Sequence, residues 1–142
     1  MGFSGTHLDY QSGRTRLAYC LAETGELEQS KAEAAKLQDT LNMDTEDVSF
    51  LAIAYAKLGE EDKTRKLLRL LEDRFQHEYL CPFDISVVHA ALGQTDRAFA
   101  HLDQAYEMRA DCIAFLKVEP RADPLRADAR FQKLLQRVEL SQ

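Results

Sequence analysis

Three glycines recur at a constant interval along this chain of 142 residues, and they constrain its fold more than any other feature. Gly59 follows Gly25 by 34 positions, and Gly93 follows Gly59 by the same number. A repeat of this length, without insertions between copies, is typical of arrays built from helix pairs. Such arrays usually bind other macromolecules and seldom carry out chemistry. The interval therefore predicts a helical binding protein and leaves its partner unnamed.

The residues around each glycine predict a helix on either side of it. The positions eight, five, four and one before the glycine share one helical face; they are Leu17, Cys20, Leu21 and Thr24, then Leu51, Ala54, Tyr55 and Leu58, then Ile85, Val88, His89 and Leu92. The positions five, nine and twelve after it share another, whose first member is always small: Ser30, Ala34 and Leu37, then Thr64, Leu68 and Leu71, then Ala98, Leu102 and Ala105. A small residue lets two helices approach closely, and a glycine readily adopts the left-handed conformation that ends a helix. Each copy is therefore predicted to be an antiparallel helix pair.

Three segments of the sequence carry a resemblance to a known family: LAYCLAETGELEQS, LAIAYAKLGEEDKT and ISVVHAALGQTDRA. They resemble tetratricopeptide repeats, over most of the chain after about Arg14. Tyr55 holds the family's usual tyrosine position, whereas the tryptophan usual in the first helix is missing. The resemblance implies an all-α, right-handed superhelix of three helix pairs, at about 14–44, 45–78 and 79–112.

The C-terminal segment CIAFLKVEPRADPLRADARFQKLLQRVEL is similar to the closing part of bacterial tetratricopeptide regions, which often follow a DNA-binding, cyclase or kinase domain. Pro120 and Pro124 are expected to stop any long helix. Asp128 is the predicted N-cap of a last helix, whose apolar stripe is Phe131, Leu134, Leu135 and Val138. We interpret residues 113–142 as a cap over the end of the array. Residues 1–13 are expected to be flexible, or a junction left by excision from a longer protein.

Composition argues against several classes of function. The net charge of −6 disfavours nonspecific binding to nucleic acid. No run of eighteen apolar residues predicts a membrane span. Cys20, Cys81 and Cys112 form an odd set without a C-x-x-C motif, which predicts neither a zinc site nor a disulfide framework. Cys20 is expected to be buried on the packing face, and a reducing, cytoplasmic compartment is the simplest inference.

The sequence suggests no catalytic residue, metal ion or cofactor. Asp84, Ser86 and His89 lie on one short helical stretch, whereas the groups of a catalytic triad converge from different directions. His89 also takes the position of Tyr55 one repeat earlier, so we interpret it as a packing residue that could meet His101 across the helix pair. A metal site would need a third ligand there. The acidic cluster at positions 44–47 precedes a helix and is interpreted as a cap.

The position of each glycine also predicts which residues of the first helices line the concave side of the array. These residues lie ten, six, three and two positions before the glycine. The predicted partner-binding groove combines members of this face with a residue at its far edge: Tyr19, Ile53, Lys57, Tyr79, Phe83 and Val87. Some family members hold a peptide's terminal carboxylate with an asparagine in this groove. Here the position of that asparagine is taken by Tyr19, Ile53 and Val87 in the three copies. Such peptides are therefore not expected to bind. If the groove is open, Ile53→Asp should weaken binding without unfolding the chain.

Several occupants of this groove remain open at the level of sequence. A partner peptide or helix, a second copy of the chain, the chain's own 113–118 segment, or its N-terminal stretch would each cover apolar surface. Alternatively, Ala22, Ala56 and Ala90 make the groove shallow. The favoured function is a non-catalytic protein–protein interaction scaffold. The alternatives are an all-helical sensor of a small apolar ligand and a self-association module of a larger bacterial regulator.

Overall fold

A computed structural model describes residues 3–37, 40–108 and 110–140, with side chains from residue 12 onward except at positions 110 and 111. Regular structure in these ranges is entirely helical, which confirms the predicted all-α class. The helices are α1 (Phe3–Glu23), α2 (Leu27–Ala35), α3 (Thr45–Lys57), α4 (Glu61–His77), α5 (Phe83–Ala91), α6 (Thr95–Met108) and α7 (Ala129–Leu140). Short 3-10 helices lie at Thr40–Asn42, Ala110–Ile113, Leu116–Val118 and Pro120–Leu125. None of the helices described here has both the length and the apolar character needed to cross a bilayer.

The three glycines end the first helix of each pair, as the sequence predicts. Their φ angles are 84°, 78° and 77° for Gly25, Gly59 and Gly93, in the left-handed region where a Cβ would be strained. The N–H of each glycine donates to the carbonyl three residues back, as from Gly59 to Ala56 at 3.2 Å. The next N–H donates to the carbonyl five residues back, as from Glu60 to Tyr55 at 2.9 Å. These two bonds define the Schellman motif, which satisfies the last carbonyls of a helix.

The chain divides into two compact units, Met1–Leu71 and Glu72–Gln142. In the first unit α1 packs against both α2 and α3. α1 begins at Phe3, so residues 3–13 of the stretch expected to be flexible are helical here, and the expectation itself stays a prediction; Met1 and Gly2 lie outside the described residues. No proline interrupts the segment between Phe3 and Arg14, although Gly5 and Gly13 lie within it.

One face of α1 departs from the prediction. Leu17 is 45% exposed and Cys20 is a free, exposed thiol, although Leu51 and Ala54 at the equivalent positions of α3 are buried. In this unit the buried side of α1 is formed by Thr15, Ala18, Tyr19 and Ala22. The helix therefore uses the face next to the predicted one for packing, and the expected burial of Cys20 is wrong.

In the second unit α5 and α6 form a helix pair, and the C-terminal segment packs on it. The prolines give short 3-10 turns in place of a long helix, as predicted. The carboxylate of Asp128 accepts the N–H of Arg130 at 2.9 Å, which confirms it as the N-cap of α7. The core of this segment consists of Ile113, Leu116, Ala122, Leu125, Phe131, Leu134 and Val138.

A disulfide joins Cys81 to Cys112, which corrects the expectation that the cysteines are unpaired. Cys81 lies just before α5 and Cys112 lies after α6. Because the two helices are antiparallel, these distant points of the sequence come together, with Cα atoms 6.1 Å apart. The inference of a reducing, cytoplasmic compartment rested on unpaired cysteines and loses that premise.

Candidate functional site

In the first unit, the predicted groove residues Tyr19 and Ile53 are packed within the helical core. The ring of Tyr19 meets that of Phe50 edge to face, with centroids 4.9 Å apart, and the guanidinium of Arg16 lies 4.7 Å from the centroid of the Phe50 ring. Ile53 exposes only 5% of its surface. Lys57 is different: its side chain is about half exposed, and its ammonium lies 3.7 Å from the carboxylate of Glu23.

In the second unit, Phe83 and Val87 are buried as well. The ring of Phe115 meets that of Phe83 edge to face at 5.1 Å, and the guanidinium of Arg121 lies 5.1 Å from the centroid of the same ring. The chain's own segment after α6 thus covers Phe83. This is one of the occupants that the sequence left open.

Tyr79 remains at the surface of the second unit, with 68% of its area exposed. Its hydroxyl lies 3.4 Å from the carbonyl oxygen of Met108, which is long for a hydrogen bond between two oxygens. Of the six predicted groove residues, only Tyr79 and Lys57 are accessible without rearrangement. Because Ile53 is buried, a carboxylate at this position would be taken out of water, and we now expect Ile53→Asp to destabilise the first unit.

A buried ion-pair network holds the covering segment on α5. Arg121 exposes 4% of its surface. Its guanidinium donates to Asp84 at 2.8 Å and to Glu119 at 2.9 Å. Burial disfavours the charge, but the hydrogen bond with Glu119 and the charge of Asp84 outweigh it and raise the pKa of Arg121. The network fixes the turn that begins at Pro120 against the first turn of α5.

A second polar cluster lies between α1 and α3 in the first unit. The buried carboxylate of Asp47 accepts hydrogen bonds from the hydroxyls of Ser12 at 3.0 Å and Thr15 at 3.3 Å. Burial raises the pKa of Asp47, and the nearby charge of Asp44 raises it further. The carboxylate of Asp44 in turn accepts the Asp47 N–H at 2.8 Å, which confirms the predicted capping role. The cluster fixes the register of the two helices.

The rings of His89 and His101 stack across α5 and α6, at 5.2 Å and 8° from parallel. The Nδ1 of His89 lies 2.6 Å from the amide oxygen of Gln94. Burial lowers the pKa of His101, and the neighbouring His89 lowers it further. The two rings meet as the sequence suggested, and His89 is buried in the helix pair. Within the described part of the chain, no group of three potential metal ligands occurs.

Sequence reasoning missed Phe115 and Arg121 as the residues that cover α5. The segment 113–118 was only one of several expected occupants, and the basic residues of the cap gave no sign that one of them is buried. The available signal was the alternation of Arg121 with acidic neighbours at positions 119 and 123, beside a proline that fixes the local turn.

Searches of the sequence against family models, against curated proteins and against solved structures find no match.

Proposed function

We propose that this chain is a non-catalytic protein-interaction scaffold of the tetratricopeptide type, which binds a peptide, a helix or a partner domain through its first helices. The observation that carries the proposal is the repeated turn, in which three helix pairs at a spacing of 34 residues end their first helix with the same glycine motif. Repeated helix pairs present equivalent faces side by side, and proteins built from them use those faces for binding.

The proposal places partner contacts at the accessible residues of these faces. In the first unit this residue is Lys57, at the end of α3. In the second it is Tyr79, just before α5. An exposed tyrosine offers both apolar area and a polar hydroxyl, and tyrosine is enriched at binding hot spots. Contact with Phe83 requires movement of the segment that covers it.

Quantitative affinity capture tests this proposal. The wild-type chain and a Lys57→Glu/Tyr79→Ser variant are immobilised at equal density, and bound proteins are compared by mass spectrometry. The control is Lys36→Glu/Leu140→Ser, which introduces the same two residues in place of another exposed lysine and another exposed large apolar residue.

We expect one set of proteins to bind the wild type and the control and to be lost from the test variant. Equal capture by all three chains would contradict the assignment of these faces.

A further inference from the structure

The disulfide and the segment that covers α5 are adjacent in the second unit. We define the cover segment as residues 113–121. Cys112 immediately precedes this segment, and Cys81 lies two residues before Phe83, which the segment covers. The disulfide therefore ties the beginning of the cover segment to the beginning of the helix on which it lies.

The cover segment contacts two adjacent residues at the start of α5. Phe115 packs against Phe83, and Arg121 forms an ion pair with Asp84. Its outer side faces solvent, since Val118 is 76% exposed and Phe115 is 41% exposed, whereas Ile113 and Leu116 on its inner side are fully buried. The segment is thus a surface layer of the unit, held by its inner residues and by the disulfide at one end.

We propose that the Cys81–Cys112 disulfide is a redox-responsive clasp that keeps the cover segment closed over α5. The inference rests on the proposed function, because α5 carries Phe83, which a partner can contact only when the cover segment moves away. In the oxidised chain the disulfide holds the start of the segment beside Phe83. A segment that detaches therefore stays at a high effective concentration near α5 and binds to it again. In the reduced chain this tether is absent. Opening then gains the conformational entropy of the loop between residues 81 and 112, which the disulfide otherwise closes.

The reaction that releases the clasp is thiol–disulfide exchange with a dithiol. A thiolate of the dithiol attacks one sulfur of the pair, and the other protein sulfur leaves and takes up a proton. The second thiol of the reductant then attacks the reductant's sulfur in the mixed disulfide, and the remaining protein sulfur leaves and takes up a proton. Two electrons and two protons pass to the protein, which ends with two thiols, while the reductant closes into its own disulfide. Both cysteines are partly exposed, so the bond is open to attack.

Hydrogen exchange measured by mass spectrometry tests the clasp without any partner. Three samples are compared: the oxidised chain, the chain kept in excess dithiothreitol, and the Cys81→Ser/Cys112→Ser variant. A Cys20→Ser chain, oxidised and reduced, is the control for effects of the free thiol. Peptides from the cover segment are compared with peptides from α5 and α6.

We expect reduction, and the double serine variant, to speed exchange in the cover segment by about tenfold or more, with a clearly smaller change in α5 and α6. Equal acceleration in all three regions would mean that the unit loosens as a whole, and would overturn the clasp. Unchanged exchange in the cover segment would overturn it as well. Because no partner is present, either result is independent of whether the affinity capture succeeds.

Discussion

The hydroxyl of Thr64 in α4 donates a hydrogen bond of 3.0 Å to the carbonyl oxygen of Ala52 in α3. One repeat earlier, Ser30 makes the same bond to Ala18 at 2.7 Å. Both hydroxyls are fully buried. The small residue that follows each glycine therefore allows close approach of the two helices and, in two of the three copies, also joins them. In the third copy the position is Ala98, which has no hydroxyl to donate.

Replacing Thr64 with valine keeps the shape of the side chain and removes the donor. We expect the free energy of unfolding to fall by about 1 kcal/mol, the usual net value of one hydrogen bond. Urea denaturation followed by circular dichroism measures the change. The control is Thr24→Val, because the exposed hydroxyl of Thr24 bonds only within its own helix. Equal losses in both variants would show that the bond between helices has no special weight.

Asp47 should titrate above its ordinary range, since burial and the charge of Asp44 both raise its pKa. A carboxyl whose pKa is higher in the folded chain than in the unfolded chain favours folding most when it is protonated. Its contribution to stability is therefore greatest at low pH and declines as the pH rises from about 3.8 through the folded pKa.

The substitution Asp44→Asn separates the two causes, because asparagine still caps α3 but carries no charge. We expect carbon-detected NMR titration to give a lower pKa for Asp47 in this variant than in the wild type, with burial still holding it above the ordinary value. An unchanged pKa would exclude the charge of Asp44 as a cause.

Arg121→Met should destabilise the second unit strongly. It removes the buried guanidinium and its ion pairs with the carboxylates of Asp84 and Glu119, and breaking a buried ion pair from one side typically costs about 3–5 kcal/mol. Thermal unfolding compared with that of Arg130→Met provides the measurement and its control, since Arg130 forms its ion pairs in solvent and should matter little. Similar losses from the two variants would mean that burial of the network adds nothing.

A charge at Ile53 should unfold the first unit to a measurable extent. Ile53→Asp places a carboxylate in the apolar core, and we expect a loss of about 3–5 kcal/mol in the free energy of unfolding. Lys57→Asp introduces the same group one turn later at an exposed position and is expected to leave stability nearly unchanged. Wild-type stability of Ile53→Asp would instead restore the open groove that the sequence suggested.

The helix pairs and their turns were predictable because a glycine that ends a helix with a positive φ depends only on its neighbours in the sequence. This glycine also recurs at the same position of each repeat. The N-cap at Asp128 and the short turns after Pro120 were predictable for the same reason. Each depends on a few neighbouring residues, so no knowledge of distant packing is needed.

The burial of Ile53 was not predictable from periodicity alone. Every residue from Asp47 to Ala54 is buried in α3, so the helix has no solvent face over these eight residues. Helical periodicity assigns one face of a helix to the core and the opposite face to solvent. The prediction fails for a helix that is buried on both faces. The continuous run LAIAYA was the available warning. The disulfide and the Arg121–Asp84 pair join residues more than thirty positions apart, and only the packed helices bring them together.

Photocrosslinking from position 79 tests most directly whether these helix faces bind a partner. A photoreactive phenylalanine derivative replaces Tyr79 in one chain and Lys36, also exposed, in another, and both are irradiated in extracts of the native cells. We expect a discrete protein adduct from position 79 that position 36 does not give and that an excess of unlabelled wild-type chain suppresses. The same adducts from both positions, or none from position 79, would contradict the proposal.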